Sequence, residues 1–285
     1  MIVDRDKIVL ELRRLGVEPG MKLMVHASLS SFGYVSGGAE SVIDAVKEAV
    51  GRNGTLMMPS FNHGELFKPG GPGYFDPDSS PTTNGAIPDT FWRQNGVIRS
   101  LHPTHSFACW GQGASDYTRG HHRTLTLGPD SPLGRLSADG GFGLLLGVGF
   151  HVNTAHHVAE NRNLAPCIGR RTRRLAVRLP GGQVMPARSW TWRARPCPIT
   201  DETRYEAAMM ASGLVREGLV GSCRVLFFEL RRCIELVQDL LQTGMDGFPP
   251  CHACPIRPDP DQRQVPSDWD DTAQRLLPNS SSWLF

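Results

Sequence analysis

Lys22-Leu-Met-Val-His26, the loop Ala27-Ser28-Leu29-Ser30-Ser31-Phe32-Gly33, the pair Gly37-Gly38, the run 39–50, and Gly54-Thr-Leu-Met-Met-Pro-Ser-Phe61 decide the fold. Residues 22–26 read as a short strand that runs into a loop of small and hydroxylated residues. Residues 39–50 place Val42, Ile43, Val46, Ala49 and Val50 on one helical face, and Gly51 closes the end. Residues 54–61 are a second apolar strand. A strand–loop–helix–strand order predicts an α/β fold of the mixed kind, with a central mixed sheet flanked by helices in a single compact domain.

Working outward, residues 5–15 carry Ile8, Val9, Leu12 and Leu15 on one face and stop at Gly16, a helix ending in glycine. Residues 62–87 are rich in Gly, Pro, Ser and Asp and lack periodicity, as a functional or mobile loop does. A short helix is expected near 88–94, buried strands at 105–111 and 141–150, and a capped helix at 153–161. Residues 173–192 read as a hairpin around Pro180-Gly181-Gly182. Helices are expected at 202–216 and 223–241, the second with a core face of Val225, Leu226, Leu230, Cys233, Ile234, Val237 and Leu240. The domain is expected to span 1–246, with 247–285 as a Pro-, Cys- and Asp-rich tail on its surface. No internal repeat is present.

Charge narrows the class. A net charge of +2 on 285 residues is too balanced for a nucleic-acid binder, so no nucleic-acid partner is expected. The densest basic cluster, Arg170-Arg171-Thr172-Arg173-Arg174, reads as a solvated strand edge. No apolar run reaches the ~18 residues of a membrane span, so no membrane partner is expected. The charged start, Met1 to Lys7, does not resemble a signal peptide. Seven cysteines, an odd number spread along the chain, suit a reducing compartment. The expected location is the cytoplasm.

Three clusters carry candidate chemistry. In His156-His157-Val158-Ala159-Glu160, His157 and Glu160 stand at i and i+3 and share a helix face. A carboxylate beside an imidazole fixes its tautomer and strengthens it as a base. Adjacent helical residues point about 100° apart, so His156 does not share that face. The loop from His26 to Gly38 offers backbone amides and hydroxyls ahead of a helix N-terminus, which suits carbonyl or phosphate oxygens. An ordinary Gly/Ser turn fits it equally well. In Arg99-Ser100-Leu101-His102-Pro103-Thr104-His105-Ser106, Arg and Ser suit a pyrophosphate. A rigid proline turn with satisfied histidines fits the same residues.

Taken in order, these stretches resemble the aminoglycoside 3-N-acetyltransferase family. Val25 to Val35 looks like the family's opening coenzyme A loop, Gly54 to Phe61 like its second strand, and Arg99-Ser100 with His102 to Ser106 like a further motif. Ser131-Pro132 also matches, and Asn153 to Glu160 resembles its catalytic helix start. The matches run in order from about residue 8 to residue 245. The resemblance implies the family's fold, acetyl-CoA as cofactor, a small-molecule amine as acceptor and transfer without an acyl-enzyme. It makes His157 the general base and Glu160 its orienting carboxylate. His26, Ser28, Leu29, Ser30, Ser31, Gly33, Tyr34 and Val35 are then cofactor-binding candidates, with Thr83, Arg99, Ser100 and His102. Asp76, Asp78, Asp201 and Glu202 are the acidic candidates for binding a cationic acceptor. A homodimer is left open. The pair His156-His157 departs from the apolar residue that usually precedes the family's histidine.

Other readings address residues outside that pattern. Cys251-His-Ala-Cys254 is half a zinc site, and Cys167 and Cys197 could supply the other half. The histidines, ten in all, with Glu160 suggest a metal-dependent hydrolase, although no His-Glu-x-x-His spacing occurs. Cys167, and less so Cys109, are candidates for an acyl-cysteine. Coenzyme A binding without turnover is a further alternative.

Overall fold

The computed structural model describes residues 2–169, 175–245 and 247–260. The Arg170–Arg174 cluster and the tail beyond 260 lie outside them. In chain order the elements are β1 (Ile2–Val3), α1 (Arg5–Arg14), β2 (Lys22–Ala27), β3 (Tyr34–Val35), α2 (Gly38–Val50), β4 (Thr55–Phe61), α3 (Ala86–Trp92), β5 (Ile98–Arg99), β6 (His105–Gly111), α4 (Ala114–Thr118), α5 (Pro132–Ala138) and β7 (Phe142–Leu146). They continue with α6 (His156–Arg162), β8 (Leu175–Arg178), β9 (Val184–Ala187), α7 (Tyr205–Ala211), β10 (Val215–Val220), β11 (Cys223–Glu229) and α8 (Leu230–Thr243).

A seven-stranded sheet in the order β10-β11-β7-β2-β4-β6-β5 forms the centre. β2 runs parallel to both β4 and β7, while β6, β5, β11 and β10 pair antiparallel. The central strands are buried on both faces, so their sequences are nearly continuous apolar runs. Alternation along each strand then feeds two cores. Leu23, Val25, Leu56, Met58, Leu144 and Leu146 pack with α1, α2 and α3. Met24, Met57, Leu145, Leu226 and Phe228 pack with α5, α6, α7 and α8. The structure is the mixed α/β domain that the residues from 22 to 61 imply.

Two elements differ from the sequence expectation. The helix expected at 202–216 is the short α7, which Gly213 ends with a φ of 71°, followed by β10. The helix expected at 223–241 is strand β11 followed by α8. Val225, Leu226, Phe227 and Phe228 are all buried because both faces of β11 are covered. A run of that kind lacks the alternation that separates strand from helix.

Because β2, β4 and β7 are parallel, their carboxyl ends lie on one edge of the sheet. This is where α/β sheets bind ligands. β7 is followed directly by Gly147, whose φ is 68°. A Cβ at Gly147 would stand 2.1 Å from Ser31 Cβ and 1.6 Å from Ser31 Oγ. The serine loop after β2 can therefore lie against the end of β7 only because residue 147 is glycine. Gly147→Ala is expected to destabilise the protein by at least about 1–3 kcal/mol, seen as a lower urea midpoint with the slope unchanged.

Candidate active site

α6 starts on the strand edge just described, ten residues after the end of β7 by sequence number. His157 Nδ1 lies 2.9 Å from Glu160 Oε2. Glu160 is fully buried, yet it stays ionised. Burial alone would push its pKa up, but the Arg193 guanidinium, His157 and His156 hold it below the ordinary carboxylate range. Arg193 Nη2 donates to Glu160 Oε1 at 2.5 Å, and Thr200 Oγ1 donates to the same oxygen at 2.5 Å. Behind them, Arg193 Nε stands 3.1 Å from Asp201 Oδ2, which also accepts from Cys197 N at 2.7 Å. The Arg193 guanidinium lies on the Trp192 ring, 4.2 Å from its centroid.

An ionised carboxylate only accepts hydrogen bonds. His157 Nδ1 therefore carries a proton, and in the neutral imidazole the lone pair is on Nε2. Rings enclose this imidazole: Trp192 at 4.9 Å, Trp190 at 5.2 Å and His156 at 4.0 Å between centroids. Trp190 continues the row to His105 at 6.0 Å, and His105 to His63 at 5.4 Å. His105 faces Phe61 across the β4–β6 ladder, so this row also follows the carboxyl edge of the parallel strands.

The structure divides the sequence candidates. Ser30, Gly33 and Tyr34 are exposed on the loop after β2, and Ser28 and Leu29 are half-buried beside them. Ser31 turns inward and donates to Ser28 O at 2.7 Å, while Val35 is a core side chain. His26 is buried behind this loop, with Nε2 3.4 Å from Thr154 Oγ1, and burial pushes its pKa down to about 3. Thr83 is exposed at the end of β4, with Oγ1 2.7 Å from His63 Nδ1.

Arg99, Ser100 and His102 are not pyrophosphate ligands in this arrangement, because each is buried and turned inward. Arg99 Nη1 donates to Pro77 O at 3.0 Å and Ser80 O at 2.7 Å, and its guanidinium lies over Trp92. Ser100 Oγ accepts from Phe107 N at 2.8 Å and stands 2.8 Å from His121 Nδ1. His102 Nδ1 accepts from His105 N at 3.0 Å. Of the acidic candidates, Asp76 and Asp201 are paired with arginines of this chain. Asp76 Oδ2 pairs with Arg178 at 3.1 Å and Asp201 with Arg193. Asp78 and Glu202 are exposed.

The cysteine readings meet the same test. Cys167, Cys197, Cys251 and Cys254 all line a cavity of about 300 Å³ behind Glu160 and Arg193. Residues 247–260 close it, pairing Arg193 with Pro258 and placing Asp259 N 2.8 Å from Trp192 O. Yet among the described residues only His156, His157 and Glu160 bring three ligand atoms within 4.8 Å of one another. No three of the four thiols bring their sulfurs that close together in this structure. Burial pushes the Cys109 and Cys167 thiols up to about 12, so neither is a thiolate nucleophile at neutral pH.

Arg193, Thr200, Trp190 and Trp192 escape the sequence reading. Arg193 and Thr200 lie 33 and 40 residues from Glu160. The only signal is Trp190-Thr-Trp-Arg193, whose bulky rings and cation stand in a segment that otherwise reads as a hairpin end.

With this geometry in place, the likenesses to known proteins are specific. The sequence profile of the aminoglycoside 3-N-acetyltransferase family matches residues 24–242. Aminoglycoside N(3)-acetyltransferase VIII of Streptomyces fradiae is 34% identical over 273 residues, covering 86% of this chain and 94% of that protein. A histidine-to-alanine variant of aminoglycoside acetyltransferase AAC(3)-IVa, solved with a gentamicin, superposes with a TM-score of 0.74 at 28% identity, covering 93% of this chain and 98% of that one. AAC-IIIb, solved as a binary complex with CoASH, gives a TM-score of 0.72 at 25% identity, covering 87% and 99%. These likenesses define an N-acetyltransferase that uses acetyl-CoA. The chain belongs to the aminoglycoside 3-N-acetyltransferase family. Among the described residues, no helix is long and apolar enough to cross a membrane.

Two outcomes follow. Arg193→Met removes the cation from Glu160 and Asp201 and should cost about 3–5 kcal/mol in urea unfolding. Stability should also fall with acid before any carboxylate titrates. His26 and His121 have their pKa values pushed down to about 3, and those of His102 and His156 are also pushed well below the ordinary range, in each case mainly by burial. They stay neutral in the folded protein, whereas in the unfolded chain they take up protons below about pH 6.5. Stability is therefore full above pH 6.5 and lost as pH falls below it, by up to about 1.4 kcal/mol per pH unit for each histidine. Urea midpoints measured from pH 7.5 to 5 should show this decline; a flat profile would contradict it.

Proposed function

We propose that the protein acetylates an amine of an aminoglycoside or a similar amine metabolite, with His157 as the general base. The observation that carries this is the buried His157–Glu160–Arg193 chain, which leaves His157 Nε2 as a lone pair in an aromatic recess. An ammonium nitrogen has no lone pair to attack with, so the acceptor must lose a proton first. Nε2 takes that proton, Glu160 holds the ring while it is positive, and Arg193 and Thr200 keep Glu160 from turning. Trp190 and Trp192 shield the pair from water.

The loop after β2 fits a coenzyme A chain. Gly33, Gly37 and Gly38 all have positive φ, and there is open space where a Cβ would stand at Gly38. Bare backbone of this kind lets N–H groups approach phosphate or pantetheine oxygens. Ser28, Ser30, Gly33 and Tyr34 are the residues of this loop assigned to that contact, with Thr83 across the edge. Acetyl-CoA supplies the acetyl group as a thioester. The C–N bond forms as the C–S bond breaks, and the thiol is released.

An aminoglycoside acceptor is supported by the relatives' names and by the gentamicin in the AAC(3)-IVa complex. Asp78 is an exposed carboxylate available to its ammonium groups, and Glu202 is exposed but paired with Arg204 at 3.1 Å. The test is release of free thiol from acetyl-CoA with a panel of aminoglycosides and simple amines. His157→Ala should lower kcat/KM by about 10²-fold or more, and Glu160→Gln should lower kcat with little change in the KM for acetyl-CoA. Equal rates in wild type and His157→Ala would sink the assignment. Turnover confined to non-aminoglycoside amines would keep the base and change the acceptor.

A further inference from the structure

Acetyl transfer as proposed gives His156 nothing to do, yet it is buried beside His157. Its Nδ1 stands 3.1 Å from the Tyr205 hydroxyl. That hydroxyl has one proton and also lies 3.2 Å from Phe150 O, which can only accept. With the proton given to Phe150 O, His156 Nδ1 donates to Tyr205, and in that tautomer its Nε2 keeps a lone pair. This Nε2 is buried without a hydrogen-bond partner, and the residue is only 4% exposed. A buried acceptor left in that state needs an explanation.

Its neighbours supply one. His156, His157 and Glu160 each bring one ligand atom to within 4.8 Å of the others. Glu160 contributes a negative charge, and the two imidazoles contribute neutral nitrogen donors. Two nitrogens and one carboxylate suit zinc and related divalent transition metals, whereas calcium and magnesium require oxygen shells. Tetrahedral ligands on bonds of about 2.0–2.2 Å stand roughly 3.4 Å apart. Closing the observed triangle to that size requires the two imidazoles to rotate toward the carboxylate, which Arg193 and Thr200 hold in place.

We infer that His156, His157 and Glu160 form an inhibitory site for a zinc-class divalent metal ion. The ion engages both members of the proposed base pair, so acetyl transfer and metal binding exclude one another. Inhibition rests on the assignment of His157 as base; binding does not.

The test is calorimetric titration of zinc chloride into the full chain under a non-chelating reductant, beside His156→Gln, with thiol release followed in parallel. Glutamine retains a donor toward Tyr205, and thermal unfolding checks that the variant folds. One equivalent should bind to the wild type, with affinity reduced at least about tenfold in the variant. Activity should fall in step with occupancy and return on chelation. Cobalt, as a spectroscopic probe on the wild type alone, should give visible bands without a thiolate charge-transfer band. No binding, equal binding by His156→Gln, or a thiolate band placing the metal on the cysteine cavity would each overturn the site. Zinc bound without loss of activity would overturn its inhibitory role and count against His157 as base, while leaving the site itself in place.

Discussion

Glu160 is a fully buried carboxylate that touches His157 on one oxygen and Arg193 and Thr200 on the other. A buried charge is costly unless it is paired and its lone pairs are used. Here the pairing comes from a segment far along the chain, and Asp201 pairs the same arginine in turn. The compensation and the proposed base pair are thus one arrangement. The contacts that make the charge tolerable also fix the carboxylate, and a fixed carboxylate fixes the tautomer of the imidazole. Trp192 covers the guanidinium, and residues 247–260 close the cavity behind it, so the C-terminal part of the described chain supports the same pair.

The sheet explains why α6 starts beside the loop that follows β2. Three parallel strands end on one edge, and each end carries a different part. β2 leads into the serine–glycine loop, β4 into Phe61, His63 and Thr83, and β7 through Gly147 toward α6. Gly147 sets the distance between the first and the last, since any side chain there would collide with Ser31. The histidines along the edge, His26 and His105 among them, are held neutral by burial, so they place no positive charge there.

Local relations are legible in the sequence, and distant ones are not. The β2–α2–β4 order follows from apolar runs and glycine stops within forty residues. The His157–Glu160 pair follows from a three-residue spacing on a helix. Nothing local links Glu160 to Arg193 or Thr200, because the chain between them passes through a separate hairpin. Arg99 and Ser100 mislead for a related reason. Arg beside Ser suits a phosphate, but the sequence does not say which way the pair faces, and here backbone carbonyls and a histidine occupy them. β11 reads as helix because covering a strand on both faces removes the alternation that identifies it.

The central claim is that Glu160 fixes the tautomer of His157. Nitrogen-15 NMR of the histidine rings tests it most directly at neutral pH, with His157→Asn used to assign the His157 signals. The account predicts a proton on Nδ1 and a lone pair on Nε2, with that preference lost in Glu160→Gln. A proton on Nε2 in the wild type would contradict it, since the proposed base would then have no lone pair there to take a proton.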